Sequence, residues 1–193
     1  MGRLTSGKSS GAASFSMDIL THRLAAPSDM DALTGLMNAA IRDLLPQFLS
    51  PGQVDASFAV MGLDTVLIED GTYFVIEIGG ALAGCGGWSR RATLFGGNHT
   101  RGRDARLLDP KTEPARVRAM YTSPQFTRRG VGRKVLDLCE AAARREGFSR
   151  VELAATMGGK PLYEACGYRP IEAMMVATPN GVEVPLLRMG KAL

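Results

Sequence analysis

The chain has 193 residues, 45% of them hydrophobic and only 6% aromatic, with a formal net charge of +4. This length is sufficient for one well-buried core, so we expect a single domain over residues 17–193 after a flexible tail, residues 1–16. No apolar run approaches the roughly 18 residues of a membrane span, and the N-terminus lacks the apolar region of a signal peptide. The sequence therefore favours a cytoplasmic protein that makes no membrane contact.

Hydrophobic periodicity and turn signals predict seven strands and four helices. Ser28 is expected to cap the first helix, and Ser50, which precedes a proline, opens the second. Gly79-Gly80 is typical of a two-residue hairpin, and Gly147 is typical of a helix C-cap. The predicted strands cover residues 19–25, 72–78, 81–89, 116–122, 151–156, 168–177 and 184–189, and the predicted helices cover residues 29–43, 51–61, 130–146 and 160–166.

The order strand–helix–strand over residues 116–156 predicts a right-handed parallel crossover. The rest of the sheet is expected to be mostly antiparallel. The predicted fold class is therefore α/β, with a single mixed, mostly antiparallel, seven-stranded sheet that is flanked by helices and has the parallel crossover at its centre.

Cysteine and histidine spacing gives no sign of a metal site. Cys85, Cys139 and Cys166 lie in apolar segments without ligand-like spacing, which is typical of reduced, packed thiols. His22 and His99 are isolated in the sequence. We therefore expect no metal.

The segment 122–136, TSPQFTRRGVGRKVL, lies where an apolar strand ends and an amphipathic helix begins. The first four N–H groups of a helix have no internal partner, and the macrodipole adds about half a positive charge there. Gly130 and Gly132 have no Cβ and allow an anion to approach closely, while Arg128, Arg129 and Arg133 add formal charge. We interpret the segment as a pyrophosphate-binding turn, although an ordinary strand-to-helix turn has the same pattern.

A second motif, PLYEACGYRP at residues 161–170, follows a predicted strand downstream. Its Tyr-Glu-x-x-Gly-Tyr pattern resembles the closing motif of the GNAT N-acetyltransferase superfamily. Residues 127–133 resemble the acetyl-CoA loop of that superfamily, with Thr127 where Gln or Arg is usual. The opening RLAAPSD at residues 23–29 is also similar, so the resemblance extends over residues 20–189.

The resemblance implies an N-acetyltransferase that uses acetyl-CoA as co-substrate, bound at a splay between the fourth and fifth strands. It implies that Tyr163 faces the thioester sulfur and acts as general acid toward the thiolate; a ring packed against the sheet is the alternative. The implied acetyl-CoA site consists of Met120, Tyr121, Thr122, Arg128, Arg129, Gly130, Val131, Gly132 and Arg133. The side chains of residues 120–122 fit a plain core equally well.

Acetyl transfer needs a neutral amine. At pH 7, deprotonation costs about 4.6 kcal/mol for a lysine amine and about 1.4 kcal/mol for an α-amine with a pKa near 8. No residue stands out as general base. Glu69, Asp70, Glu77 and Glu152 are candidates, and each also fits an exposed strand or turn carboxylate.

Two other function classes were weighed. A GNAT-like domain without catalysis would bind acetyl-CoA as a sensor or serve as an interaction module. A nucleic-acid-binding module has its best support in the basic residues 90–118, but that segment lacks interleaved aromatics for base stacking. The expected partners are thus acetyl-CoA and an amine acceptor, either a small molecule or a peptide, with no nucleic acid and with a homodimer left open.

Two short motifs have a poor structural context. Residues 2–9, GRLTSGKS, match the phosphate-loop pattern, and residues 66–70, VLIED, resemble an apolar strand that ends in acids. A phosphate loop needs a buried strand before it and a helix after it, whereas linker-like residues follow Ser9. Residues 1–6 also fit a myristoylation signal, and we interpret the whole segment as tail.

The segment 90–115 is long for a loop within a compact domain. It carries six Arg or Lys residues against three Asp or Glu, a net charge of +3. A solvated linker is one interpretation. The alternative is a lid over the acceptor side of the cleft that favours an acceptor with a negative group.

Overall fold

A computed structural model describes residues 19–100 and 102–193. Over these residues the chain forms seven strands and five α-helices. The strands are β1 (Leu20–Leu24), β2 (Tyr73–Ile78), β3 (Ala81–Ser89), β4 (Ala115–Thr122), β5 (Arg150–Ala155), β6 (Arg169–Ala177) and β7 (Glu183–Ala192). The helices are α1 (Met30–Leu44), α2 (Pro51–Val60), α3 (Thr65–Glu69), α4 (Val131–Arg145) and α5 (Lys160–Ala165).

The seven strands form one sheet in the order β1-β2-β3-β4-β5-β7-β6. All neighbouring pairs are antiparallel except β4 and β5, which are parallel and connected through α4. The predicted fold class is confirmed, including the central parallel crossover.

The two faces of the sheet carry different helices. Phe74 and Ile76 of β2 point to the face where α4 packs, while Tyr73 and Val75 point to the face where α1 packs. This alternation follows from the two-residue period of a strand. On the α1 face, α2 packs its Val60 on β7, so we call the two sides the α4 face and the α1/α2 face.

Several local structures that the sequence predicted are confirmed. Ser50 and Gln53 form a capping box at the start of α2, Gly79-Gly80 has the positive φ angles of a tight hairpin (59° and 80°), and Gly147 follows α4 with φ 89°. The predicted cap at Ser28 is wrong. A 3₁₀ turn covers Pro27–Asp29, and α1 begins only at Met30, because the Asp29 carboxylate accepts a hydrogen bond from the Ala26 N–H at 2.8 Å.

Other predictions need correction or lie outside the described residues. Residues 65–69 form the short helix α3 and not a strand, because an apolar run as short as residues 66–68 fits either structure. The seventh strand extends past the predicted residues 184–189 at both ends. The predictions for residues 1–16, including the phosphate-loop match, fall on residues that the structure does not describe. Within residues 19–100 and 102–193, no helix combines the length and apolarity needed to cross a membrane.

Candidate active site

The central opening of the sheet lies between β4 and β5. The parallel ladder contains only two pairs, Ala115 with Val151 and Arg116 with Glu152. Beyond these pairs, the described residues of β4 have no partner on β5, so their backbone groups on that side face the opening. The predicted splay between the fourth and fifth strands is therefore present.

A cleft of about 800 Å³ occupies this opening. Its walls come from both faces of the sheet: Met120 and Leu153 belong to the α4 face, whereas Tyr121 and Ala154 belong to the α1/α2 face. The cleft thus passes through the sheet from one helical layer to the other.

The wall on the α4 face contains most of the predicted acetyl-CoA site. Gly130 is the N-cap of α4 with φ 82°, a left-handed conformation that only glycine adopts without strain. The first turn of α4, whose N–H groups have no intrahelical partner, follows directly. Of the predicted site, the cleft is lined by Met120, Tyr121, Thr122, Arg128, Gly130, Val131, Gly132 and Arg133.

Two predicted residues have other surroundings than expected. Arg129 does not line the cleft; its guanidinium lies over the Phe126 ring, 5.1 Å from the centroid. Gly132 borders the cleft, but a Cβ there would come within 2.6 Å of Leu162 Cδ2 on α5. The missing side chain at Gly132 therefore makes room for α5.

Two glycines of β3 bring the start of α4 close to the sheet. A Cβ at Gly84 would lie 2.4 Å from Val131 Cγ1, and one at Gly86 would lie 2.6 Å from Val135 Cγ1. Any larger residue would push the helix away from β3. These glycines support the position of the first turn of α4, and the sequence reading did not identify them.

Tyr163 lies on α5 at the opening between the strands. Its hydroxyl is 3.9 Å from Met120 Sδ on β4, and its ring packs edge to face on Tyr168 at a centroid distance of 5.9 Å. Only 9% of the residue is exposed. Burial raises the pKa of its phenol, and the nearby Cys139 thiol adds to the effect, so the hydroxyl keeps its proton at neutral pH. The ring packs against the core while the hydroxyl borders the cleft.

A bulge in β4 shapes the same opening. Ala119 has φ 51°, an uncommon conformation for a residue with a Cβ, at the place where the register with β3 shifts between Cys85 and Gly87. The buried Tyr73 hydroxyl donates to the Ala119 carbonyl oxygen at 2.7 Å. Tyr121 is tied down as well, because its hydroxyl accepts a hydrogen bond from the Gly62 N–H at 3.1 Å.

The candidate general bases lie away from the cleft. Glu152 accepts hydrogen bonds from Arg116 and from Arg188, and Asp70 is held by Arg91 at 2.8 Å. The remaining two candidates, Glu69 and Glu77, are not lining residues either. Among residues 19–100 and 102–193, no Asp, Glu, His or Lys lines the cleft.

A buried ion-pair network anchors the segment 90–115. Asp64, the N-cap of α3, has a fully buried side chain between Arg103 at 2.7 Å and Arg118 at 2.6 Å. Arg118 also donates to the Gly96 carbonyl oxygen at 2.7 Å. This network holds the tip of the segment, Leu94–Phe95–Gly96, against the cleft, where all three residues are part of the wall.

The charges of this segment do not support the expected preference for an anionic acceptor. Four of its six cations form ion pairs within the protein: Arg90 with Glu146, Arg91 with Asp70, Arg103 with Asp64 and Arg106 with Glu113. Lys111 does not line the cleft. Arg101 lies outside the described residues. The part of the segment that reaches the cleft is apolar.

Comparison with known proteins identifies the family. The family model for the acetyltransferase (GNAT) family matches residues 37–168, which is more than half of the chain. The chain belongs to the GNAT acetyltransferase family. The resemblance seen in the two sequence motifs is therefore confirmed. No match to the chain was found among the curated proteins.

Solved structures agree with the GNAT fold. A GCN5-related N-acetyltransferase from Rhodopseudomonas palustris superposes with a TM-score of 0.67 at 18% identity, over 95% of this chain and 100% of the other. The ribosomal-protein-alanine N-acetyltransferase of Brucella melitensis gives 0.61 at 18%, over 90% and 99%. A Salmonella typhimurium protein solved with its cofactor acetyl-CoA gives 0.59 at 19%, over 90% and 94%. At such identities the likeness shows the fold.

In this GNAT chain, the sequence motifs found the α4 wall of the cleft and missed the groups that support it. Asp64 and Arg118 are far apart in the sequence and come together only in the folded chain. From the sequence alone, a single acid before an apolar run indicates at most a helix N-cap. Tyr73 had no signal beyond a strand position. A 3₁₀ turn at Pro124–Phe126 leads the chain from β4 toward α4.

Proposed function

We propose that the protein is an acetyl-CoA-dependent N-acetyltransferase that acts on a primary amine by direct attack in a ternary complex. The observation that carries the proposal is the single cleft through the sheet, which combines the first turn of α4, the unpaired side of β4 and the Tyr163 hydroxyl. The solved relatives with acetyl-CoA or coenzyme A bound, from Salmonella typhimurium and Thermoplasma acidophilum, support acetyl-CoA as the co-substrate.

Each wall of the cleft has a task in this proposal. The N–H groups at the start of α4, with Arg128 and Arg133 beside them, bind the pyrophosphate through the helix dipole and formal charge. The backbone groups of β4 that face the opening bind the pantetheine amides as an added strand would. The thioester then lies near Met120 and Tyr163.

The chemical step forms one bond and breaks one. The neutral nitrogen of the acceptor bonds to the thioester carbonyl carbon, and the carbon–sulfur bond breaks. The Tyr163 hydroxyl gives its proton to the departing thiolate, and the surplus proton on nitrogen leaves to solvent, which also restores the tyrosine. Burial, which raises the pKa of Tyr163, keeps its hydroxyl protonated until the thiolate forms.

A CoA-release assay across a panel of primary amines tests the proposal. With a suitable amine we expect CoA and acetylated amine to form in equal amounts, at a rate far above the reaction without protein. Tight binding of acetyl-CoA with no acetylated product from any amine would instead support the sensor function.

A further inference from the structure

The chemistry of the acceptor can be inferred from the wall of the cleft on the α1/α2 face. Alongside Gln47, Arg118 and Tyr121, this wall has a set of apolar side chains: Ile41, Leu45, Phe48, Met61, Phe95 and Leu186. They come from α1, from the 3₁₀ turn Leu45–Gln47 and the residue after it, from the end of α2, from the tip of the segment 90–115 and from β7. Because the α4 face holds the predicted pyrophosphate turn, this wall is the side left for the acceptor.

An aromatic residue forms part of the rim. Phe48 is 48% exposed, although it is a large apolar residue. Its ring reaches the turn before α5, since a Cβ at Gly158 would lie 2.9 Å from Phe48 Cε2. The ring therefore extends across the cleft from the α1 side to the β5–α5 side, and offers an apolar surface to a ligand that enters there.

Within the part of the chain that the structure describes, the wall on the α1/α2 face has one positively charged residue, Arg118, and its charge is balanced by the Asp64 carboxylate. Arg118 is the cation that borders it, with 2% of its side chain exposed, and Asp64 behind it is fully buried. The Asp64 carboxylate contacts both Arg118 and Arg103, so its charge is balanced within the protein. An ammonium group placed against this wall would lose its hydration and would find no carboxylate among the described lining residues.

We propose that the acceptor is a weakly basic primary amine on an apolar, aromatic-sized body, as in an arylamine. This inference rests on the proposed function and adds the acceptor class to it. A lysine-like amine with a pKa near 10.4 is neutral in only about one molecule in 2,500 at pH 7, and an apolar wall disfavours its charged form. An aromatic amine is already neutral, so the wall binds it in the reactive form.

Binding of three amines to the wild-type protein, measured by calorimetry at neutral pH, tests the inference. Para-butylaniline and phenylbutylamine are isomers with similar apolar surface, but only the second is a cation at this pH. Putrescine is a dication without the apolar body. We expect para-butylaniline to bind at least about tenfold more tightly than phenylbutylamine, a difference of about 1.4 kcal/mol, and putrescine to bind most weakly. Equal or tighter binding of either cation would overturn the inference.

A matched pair of variants locates the amine. Met61→Glu adds a carboxylate to the wall, and Met61→Gln adds a neutral side chain of the same shape. We expect the affinity ratio of para-butylaniline to phenylbutylamine to fall at least about tenfold in Met61→Glu relative to Met61→Gln, because the new carboxylate pairs with the ammonium. An unchanged ratio would mean that the amine does not bind at this wall and would overturn the inference.

CoA release from added acetyl-CoA, measured with the same three amines, separates this inference from the proposed function. If para-butylaniline binds best but no amine is acetylated, the transferase proposal fails and the ligand class stands. If putrescine is acetylated with a higher kcat/KM than para-butylaniline, the transferase stands and the acceptor class is wrong.

Discussion

The hydroxyl of Tyr73 donates a 2.7 Å hydrogen bond to the carbonyl oxygen of Ala119, 46 positions further along the chain. Tyr73 is almost fully buried, and Ala119 is one of two described non-glycine residues with positive φ. The bond holds the bulge of β4 from β2, which lies on the far side of β3 in the sheet. It therefore helps to hold the strand edge that faces the cleft, without contact between Tyr73 and the cleft itself.

Tyr73→Phe removes this bond and keeps the ring. We expect a loss of about 1 kcal/mol in the free energy of unfolding, the usual contribution of a buried hydrogen bond. We also expect a rise of several-fold in KM for acetyl-CoA with little change in kcat, because the bulge shapes the strand edge and not the Tyr163 hydroxyl. Denaturant unfolding and steady-state kinetics measure the two effects.

Cys85→Ala is the matched control, since Cys85 Sγ lies 3.2 Å from the Tyr73 hydroxyl while the bond to Ala119 stays intact. Cys85 also borders the cleft, so this variant should lower stability and raise KM for acetyl-CoA less than Tyr73→Phe does. If Tyr73→Phe lowers stability without changing KM, Tyr73 has only a packing role.

Tyr163→Phe tests the general acid. The ring packing on Tyr168 remains, so acetyl-CoA affinity should be unchanged, while turnover should fall by about 10²-fold or more, the usual scale for a lost general acid. Calorimetry with acetyl-CoA and CoA-release kinetics check the two parts. Turnover that stays within a few-fold of the wild type would leave Tyr163 with packing alone.

Gly132→Leu should act through α5. Because the direction of the new Cβ leads to Leu162, the substitution should displace α5 and with it Tyr163, and a displacement of about 1 Å can cost about 10²-fold in rate. Adding Leu162→Ala makes room for the leucine. We expect the double variant to recover a large part of the lost kcat, as measured by CoA release.

The same pair of variants also shows which result would contradict a displacement of α5. If Leu162→Ala restores nothing and acetyl-CoA binding is lost in both variants, the leucine obstructs the pyrophosphate and not α5. Circular dichroism shows whether the variants keep their secondary structure.

The four tyrosines of the chain predict the behaviour at high pH. The pKa values of Tyr73, Tyr121, Tyr163 and Tyr168 are all raised above the usual 10.0, mainly by burial. The unfolded chain ionises its tyrosines first, so their burial stabilises the fold fully below pH 10 and this stabilisation is lost as pH rises further. Tyrosinate absorbance should therefore appear together with cooperative unfolding, and a separate titration near pH 10 in the folded protein would contradict the assignment.

The sequence predicted those parts of the fold that depend on local signals. Ser50 caps α2, Gly79-Gly80 turns the hairpin and Gly147 ends α4 because each residue acts within a few positions of itself. The α4 wall of the cleft was predicted for the same reason, since its glycines and arginines are consecutive. The helix α3 was missed because five residues are too few to show a helical period.

The remaining features of the site depend on contacts between distant segments. Asp64 meets Arg103 across 39 positions. The charge of the segment 90–115 could be interpreted only once four of its cations were found in ion pairs. Nothing local distinguishes Phe48 on the rim of the cleft from an ordinary core phenylalanine. The acceptor wall therefore became visible only in the folded chain.

The most direct test of direct acetyl transfer is a single-turnover experiment with acetyl-CoA, followed by addition of the amine. CoA release and the mass of the intact protein are recorded together. We predict no CoA release and no acetylated protein before the amine is added, and equal amounts of CoA and acetylated amine afterwards. CoA release with acetylated protein before the amine, or no acetylated product from any amine, would contradict the account.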